Sequence, residues 1–197
     1  MGKVMVFIDH ENFHIALVNY YHYLNLPSPK LDYNKIPQEI VKMIPGNHEL
    51  MKTFLFAPAP DDFLIQDDGR KKAYNWITGL RNQKYFSVIE GKHIARPAVG
   101  YTSETMDVKN GSSYYVEEKG TDINIATHVI TKAFLNSYDI AVIVSGDSDY
   151  IPVLNVLETL GKTSVVVSVE RQNITRLRQN SDDAICLDKD FFNRCLR

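Results

Sequence analysis

Short apolar runs, too brief for helices, recur along this chain, with segments of helical period between them. Residues 3–8, 50–56, 85–90, 140–144, 163–169 and 184–187 are the runs. The first shows no clean alternation of apolar and polar positions, as expected of a strand covered on both faces. Residues 11–23, 35–44, 122–136, 173–180 and a stretch from Asp61 or Asp62 to about Asn82 read as helices, as does the segment that ends at Leu160 before Gly161. Residues 91–118 have a weaker pattern, with a hairpin-like excursion around Asn110-Gly111. Strands alternating with helices predict an α/β domain over residues 1–197, its sheet mostly parallel and covered by helices on both faces. Such sheets bind ligands beyond the carboxyl ends of their strands, where the strand order reverses.

Composition narrows the setting. Hydrophobic residues make up 44% of the chain, enough for a core without disulfides or structural metals. No apolar run reaches 18 residues, so no membrane span is expected. The opening residues reach Asp9 without a small-residue cleavage site and read as a strand. Cys186 and Cys195 are the two cysteines and lack a zinc-ligand companion motif. They read as buried, reduced thiols in a reducing compartment, most simply the cytoplasm. The net charge of −2 does not advertise nucleic-acid binding by the whole surface. A metal-dependent nuclease, however, gathers carboxylates at its centre, where bound cations reverse the local field.

Carboxylates stand where the sheet rule directs attention. Asp9 directly follows the first strand, and Asp147 and Asp149 follow the strand ending at Val144, separated from it by Ser145-Gly146. Asp122 precedes Ile125 and Ala126, the start of an apolar helical stripe that continues through Val129, Ile130 and Ala133. It therefore lies at the N-terminal end of that helix's buried side, where the helix dipole favours an anion. Carboxylates gathered in one cleft resist joint ionisation, and a hard divalent ion such as Mg²⁺ or Mn²⁺ relieves the conflict. Such ions activate water and stabilise charge on a phosphodiester under attack. Each residue has a plainer reading too: Asp9 as a helix cap, Ser148 or Asp149 as a cap of the following helix, and Asp122 as a first-turn acid.

Three motifs carry a family resemblance. Ile8-Asp9-His10-Glu11-Asn12 resembles the "IDxxN" opening of the NYN domain family, in its LabA-like branch. Lys119-Gly120-Thr121-Asp122-Ile123 resembles that branch's "KGxDV" motif, and Ser145-Gly146-Asp147-Ser148-Asp149-Tyr150-Ile151-Pro152 its "SGDSDFxP" motif. The resemblance implies a PIN-like three-layer α/β/α sandwich, a Mg²⁺ or Mn²⁺ site and ribonuclease activity. It carries metal and catalytic roles onto Asp9, Asp122 and Asp147, with Asp149 as a further catalytic acid, and makes Asn12 and Ser145 pocket-lining polar residues. Six residues after Asp122 the family commonly has another Asp, and this chain has His128. That residue reads as a softer ligand, a proton shuttle or an outward-facing residue without a chemical role.

Basic residues are scattered, among them Arg70-Lys71-Lys72, Lys92-His93, Arg96, Arg171, Arg176 and Arg178. Lys119 is the best placed to meet a phosphate, and Tyr114 and Tyr115 could stack on bases. The expectation is a Mg²⁺- or Mn²⁺-dependent ribonuclease acting on single-stranded or flexible RNA. Two readings stand beside it: an RNA-binding or regulatory module that has lost catalysis, and a metal-dependent nucleotide phosphohydrolase. A homodimer is the default assembly for such a compact domain.

Overall fold

The computed structural model describes residues 1–197. Seven strands form one sheet: β1 (Gly2–Asp9), β2 (His48–Pro60), β3 (Phe86–Pro97), β4 (Tyr114–Lys119), β5 (Ile140–Val144), β6 (Thr163–Val169) and β7 (Asp183–Leu187). Their order is β4-β3-β2-β1-β5-β6-β7. All neighbours run parallel except β4, which pairs antiparallel with β3. Seven helices accompany them: α1 (His10–Tyr23), α2 (Lys35–Met43), α3 (Asp68–Gly79), α4 (Thr121–Phe134), α5 (Ile151–Thr159), α6 (Thr175–Arg178) and α7 (Lys189–Arg194). Helices therefore cover both faces of a mostly parallel sheet, the three-layer α/β/α arrangement that the sequence pattern predicts.

Alternation along the central strands sends side chains into two separate cores. Val4, Val6 and Ile8 of β1, with Val142 and Val144 of β5, pack against Phe13, Leu17, Ile36, Ile40 and Phe192 from α1, α2 and α7. Phe7 of β1, with Ala141 and Ile143 of β5 and Phe54 and Phe56 of β2, faces Ile125 and Val129 of α4 and Leu154 and Leu157 of α5. A strand buried on both faces cannot show apolar–polar alternation, which explains the uniform apolar runs. Fully burying a Phe, Ile or Leu side chain contributes about 1.5–3 kcal/mol. Both layers thus anchor β1 and β5 firmly.

The strand order makes the site. Growth from β1 proceeds one way through β2 and β3 and the other way through β5, β6 and β7, so the order reverses between β1 and β5. These two strands are paired with Ile8 opposite Val144. Their next residues, Asp9 and Ser145, leave the sheet side by side at its carboxyl edge.

Several boundaries differ from the sequence reading. β2 continues through Ala57-Pro58-Ala59-Pro60, and β3 runs to Pro97. Proline lacks the ladder donor but is tolerated at Pro58 and Pro60 because β2 there has run past β1 and keeps only β3 as a neighbour. The long helix expected from Asp61 or Asp62 begins only at Asp68, after a 3₁₀ turn at Leu64–Gln66. Asp61 is instead an anchor: its carboxylate accepts from the backbone N–H groups of Leu64 at 2.8 Å and Ala95 at 2.8 Å. A hairpin does occupy the weakly patterned stretch, but β3 and β4 are its arms, and residues 98–113 join them. No helix is long and apolar enough to cross a membrane. Cys186 and Cys195 are both free thiols; Cys195 is buried as expected, whereas Cys186 on the edge strand β7 is exposed.

Candidate metal centre

Asp9 is both a helix cap and a buried acid. It ends β1 with extended backbone, and its Oδ1 accepts the N–H of Asn12 at 3.2 Å, capping α1. Its other oxygen, Oδ2, accepts from the hydroxyls of Ser145 at 3.1 Å and Tyr150 at 3.2 Å. Only 6% of the residue is exposed. No lysine or arginine lies within ion-pair distance of it. Burial pushes the Asp9 carboxyl up to about 6, and the nearby Asp122 charge pushes the same way. The hydrogen bonds from Asn12, Ser145 and Tyr150 offset only part of this.

Asp122 reaches the cleft from α4. That helix starts at Gly120, whose φ of 84° lies in the left-handed region that glycine occupies without cost. Gly91 of β3 lets the start of α4 close on the sheet. A Cβ there would meet Thr121 Oγ1 at 2.2 Å and the backbone N of Thr121 at 3.0 Å. Asn124 Nδ2 donates to the Glu90 carbonyl at 3.1 Å and ties the same turn down. Asp122 Oδ1 then accepts the Tyr150 hydroxyl at 2.8 Å. One phenol hydroxyl, itself fully buried, thereby links Asp9 and Asp122. Burial and the two carboxylates raise the Tyr150 phenol well above its ordinary range, so it stays a donor.

The loop after β5 completes the wall. Asn12 Oδ1 accepts from the N–H of Gly146 at 2.9 Å and from Gln172 Nε2 at 3.0 Å, fixing α1, this loop and the turn after β6 together. Ser145 Oγ also accepts the Asp147 N–H at 3.2 Å. Asp147 caps the 3₁₀ turn Ser148–Tyr150, its Oδ1 accepting the Asp149 N–H at 2.9 Å. Asp149 is exposed at the rim. Neither Ser148 nor Asp149 caps the following helix: α5 has Tyr150 at its N-cap and no side-chain cap.

The arrangement brings Asp9, Asp122, Asn12 and Ser145 together and holds Asp147 beside them through Ser145. Asp9, Asp122 and Asp147 do not by themselves close to the spacing of one ion, because Asp147 turns an oxygen back onto its own loop. The three-residue group whose ligand atoms do lie within 4.8 Å of one another is Glu11, His93 and Glu118. His93 and Glu118 are cross-strand partners on β3 and β4, and Glu11 reaches them from the first turn of α1. His93 Nε2 sits 3.1 Å from Glu11 Oε2. The hydrogen bond from His93 holds the Glu11 carboxyl low, while burial and the Glu11 charge raise Glu118.

Other expected residues lie elsewhere. His128 sits on α4 with Nδ1 2.9 Å from the Asn124 carbonyl oxygen, and its ring packs against Phe56 at 5.4 Å between centroids. Lys119 is exposed, and its Nζ pairs with Glu117 at 2.6 Å. Tyr114 packs edge-on against Phe63, and Tyr115 is exposed. Sequence reasoning missed Tyr150 as the bridging group, although it stands within the quoted motif. It also missed Glu11, His93 and Glu118, which no linear spacing connects.

The donors fit a hard divalent cation. Asp9 and Asp122 offer carboxylate oxygens, carry no basic partner, and share a donor that can be displaced. A bound cation would offset the burial and the Asp122 charge that raise Asp9.

Comparison with known proteins bears on the fold and the family. A solved protein of unknown function from Vibrio parahaemolyticus matches with a TM-score of 0.57 and 19% identity, covering 96% of this chain and 95% of that one. At that identity the likeness concerns the fold. No curated protein matches the chain. The NYN domain model matches residues 3–188, nearly the whole sequence. With its acidic cleft at the strand reversal, the chain belongs to the NYN domain family, a PIN-like nuclease group.

Proposed function

We propose that this protein is a Mg²⁺- or Mn²⁺-dependent ribonuclease of the LabA-like branch, acting on single-stranded or flexible RNA. The observation that carries the proposal is a buried Asp9 sharing the Tyr150 hydroxyl with Asp122 at the reversal of strand order, with no basic side chain to balance either. Asp9 and Asp122 would hold the ion, and Asp147 would join as the third carboxylate by turning its Oδ1 away from the Asp149 N–H. When bound, such an ion neutralises charge on the scissile phosphate and lowers the pKa of a coordinated water. Asp149, exposed at the rim, would serve as a further acid–base group. Asn12 holds the β5 loop through Gly146, and Ser145 orients Asp9. Lys119 and the arginines of α6, Arg176 and Arg178, supply phosphate contacts along the approach. The free thiols of Cys186 and Cys195 suit a cytoplasmic protein.

One observation favours a second reading, an RNA-binding module without turnover. His128 occupies the place where the family commonly has another carboxylate, and its ring is taken up by Phe54 and Phe56. The discriminating assay is cleavage of a labelled single-stranded RNA with Mn²⁺ by the wild type and Asp122→Asn. Loss of cleavage by at least about 100-fold in the variant supports the nuclease. Equal cleavage by both forms removes it, and retained RNA binding with no cleavage in either selects the binding module.

A further inference from the structure

We propose that Glu11, His93 and Glu118 form a second metal site, separate from Asp9 and Asp122 and selective for a transition ion such as Zn²⁺. Three elements supply the donors: the first turn of α1, β3 and β4. Their ligand atoms lie within 4.8 Å of one another, the spacing of groups around one ion. Backbone features hold the three residues in place. The Asp9 cap fixes the start of α1, and the β3–β4 ladder sets His93 directly opposite Glu118. Asp61 accepts the Ala95 N–H and the Phe63 and Leu64 N–H groups, locking β3 where it passes the sheet edge.

Charge makes the case for a cation. Glu117 and Glu118 point to opposite faces of β4. Glu117 takes both neighbouring basic side chains, Arg96 at 3.0 Å and Lys119 at 2.6 Å. Arg81 is drawn away to Glu90 at 2.8 Å. Glu11 and Glu118 are left with one imidazole between them and no lysine or arginine at ion-pair distance. A divalent ion would balance this pair. The imidazole nitrogen distinguishes the site from the all-oxygen set at Asp9 and favours Zn²⁺ over Mg²⁺.

The site is also accessible. Glu11 and His93 line a pocket of about 300 Å³ with His10, Arg70 and Tyr74. Three protein donors leave coordination positions open toward it for water or an anionic oxygen. The inference stands independently of the proposed RNA cleavage.

The test is calorimetric titration of the chelator-stripped full chain with Zn²⁺ in excess Mg²⁺, which occupies the all-oxygen site. The wild type should bind one equivalent. His93→Ala and Glu118→Gln should each weaken that binding by at least about 100-fold, while Asp122→Asn leaves it unchanged. Circular dichroism of each variant should match the wild type, since His93 and Glu118 are partly or fully exposed. A Zn²⁺ anomalous peak should lie at His93 Nε2 in a soaked crystal. Unchanged binding in His93→Ala, loss in Asp122→Asn, or no Zn²⁺ bound by the wild type would each overturn the proposal.

Discussion

Replacing Asp9 with Asn should make the metal-free protein more stable near neutral pH, and the magnitude follows from the burial of that carboxylate. A rise from 3.8 to about 6 corresponds to about 3 kcal/mol. The sign follows from proton binding. Between the two values the folded protein holds a proton on Asp9 that the unfolded chain has released, so stability falls as pH rises through this window. Below about pH 4 the cost is absent, and above the folded value it is present in full. Asparagine caps a helix as well as aspartate, so the bond from the Asn12 N–H survives. Ser145 and Tyr150 both donate to Oδ2, which the variant replaces in part with an NH₂ group. Reorienting those hydroxyls costs about 1 kcal/mol, leaving a net gain of about 2 kcal/mol at neutral pH. Urea unfolding in chelator, with wild type and variant compared at pH 7 and about pH 4, reads this directly. The gain should be present at pH 7 and vanish or reverse at pH 4. Mg²⁺ at about 100 times its Kd should add about 2.7 kcal/mol to the wild type and little to the variant. A stability difference that is the same at both pH values, or a variant less stable at pH 7, would refute the reasoning.

Other perturbations test the walls of the cleft. Tyr150→Phe removes the hydroxyl that links Asp9 to Asp122, and should cost about 1–3 kcal/mol and move the Asp9 titration upward, visible by NMR. Gly91→Ala would drive a Cβ into Thr121; it should cost about 1–3 kcal/mol in thermal unfolding and weaken Mn²⁺ binding by displacing Asp122. Asp147→Asn keeps the cap on the Asp149 N–H, so stability should change by less than about 0.5 kcal/mol while RNA cleavage falls at least about 100-fold.

Much of this layout was legible in the residues because it is local. The apolar runs of β1, β5 and β6 are short, uniformly apolar and bounded by turns, and buried parallel strands require that pattern. Strand ends then direct attention to Asp9 and Asp147 without any knowledge of strand order. The stripe on α4 likewise put Asp122 at the start of its helix's buried side, where it is exposed yet reaches the Tyr150 hydroxyl. What escaped depends on pairing. Nothing near Glu118 in the chain announces that it faces His93 across an antiparallel ladder, because a connection as long as residues 98–113 leaves the register open. Asp61 read as a helix cap because acids favour helix starts, whereas its carboxylate ties two remote backbone segments together. His128, six residues after Asp122, read as a ligand, a proton shuttle or an outward-facing residue, and the sequence could not choose among them. Its surroundings, two phenylalanines of β2, depend on how α4 lies across the sheet.

A crystal soaked in Mn²⁺ and measured at the manganese edge tests the central claim most directly. The account predicts an anomalous peak bonded to carboxylate oxygens of both Asp9 and Asp122 at about 2.1–2.2 Å, with the Tyr150 hydroxyl displaced from at least one of them. A saturating soak that leaves both carboxylates bonded to Tyr150, with no peak between them, would contradict it.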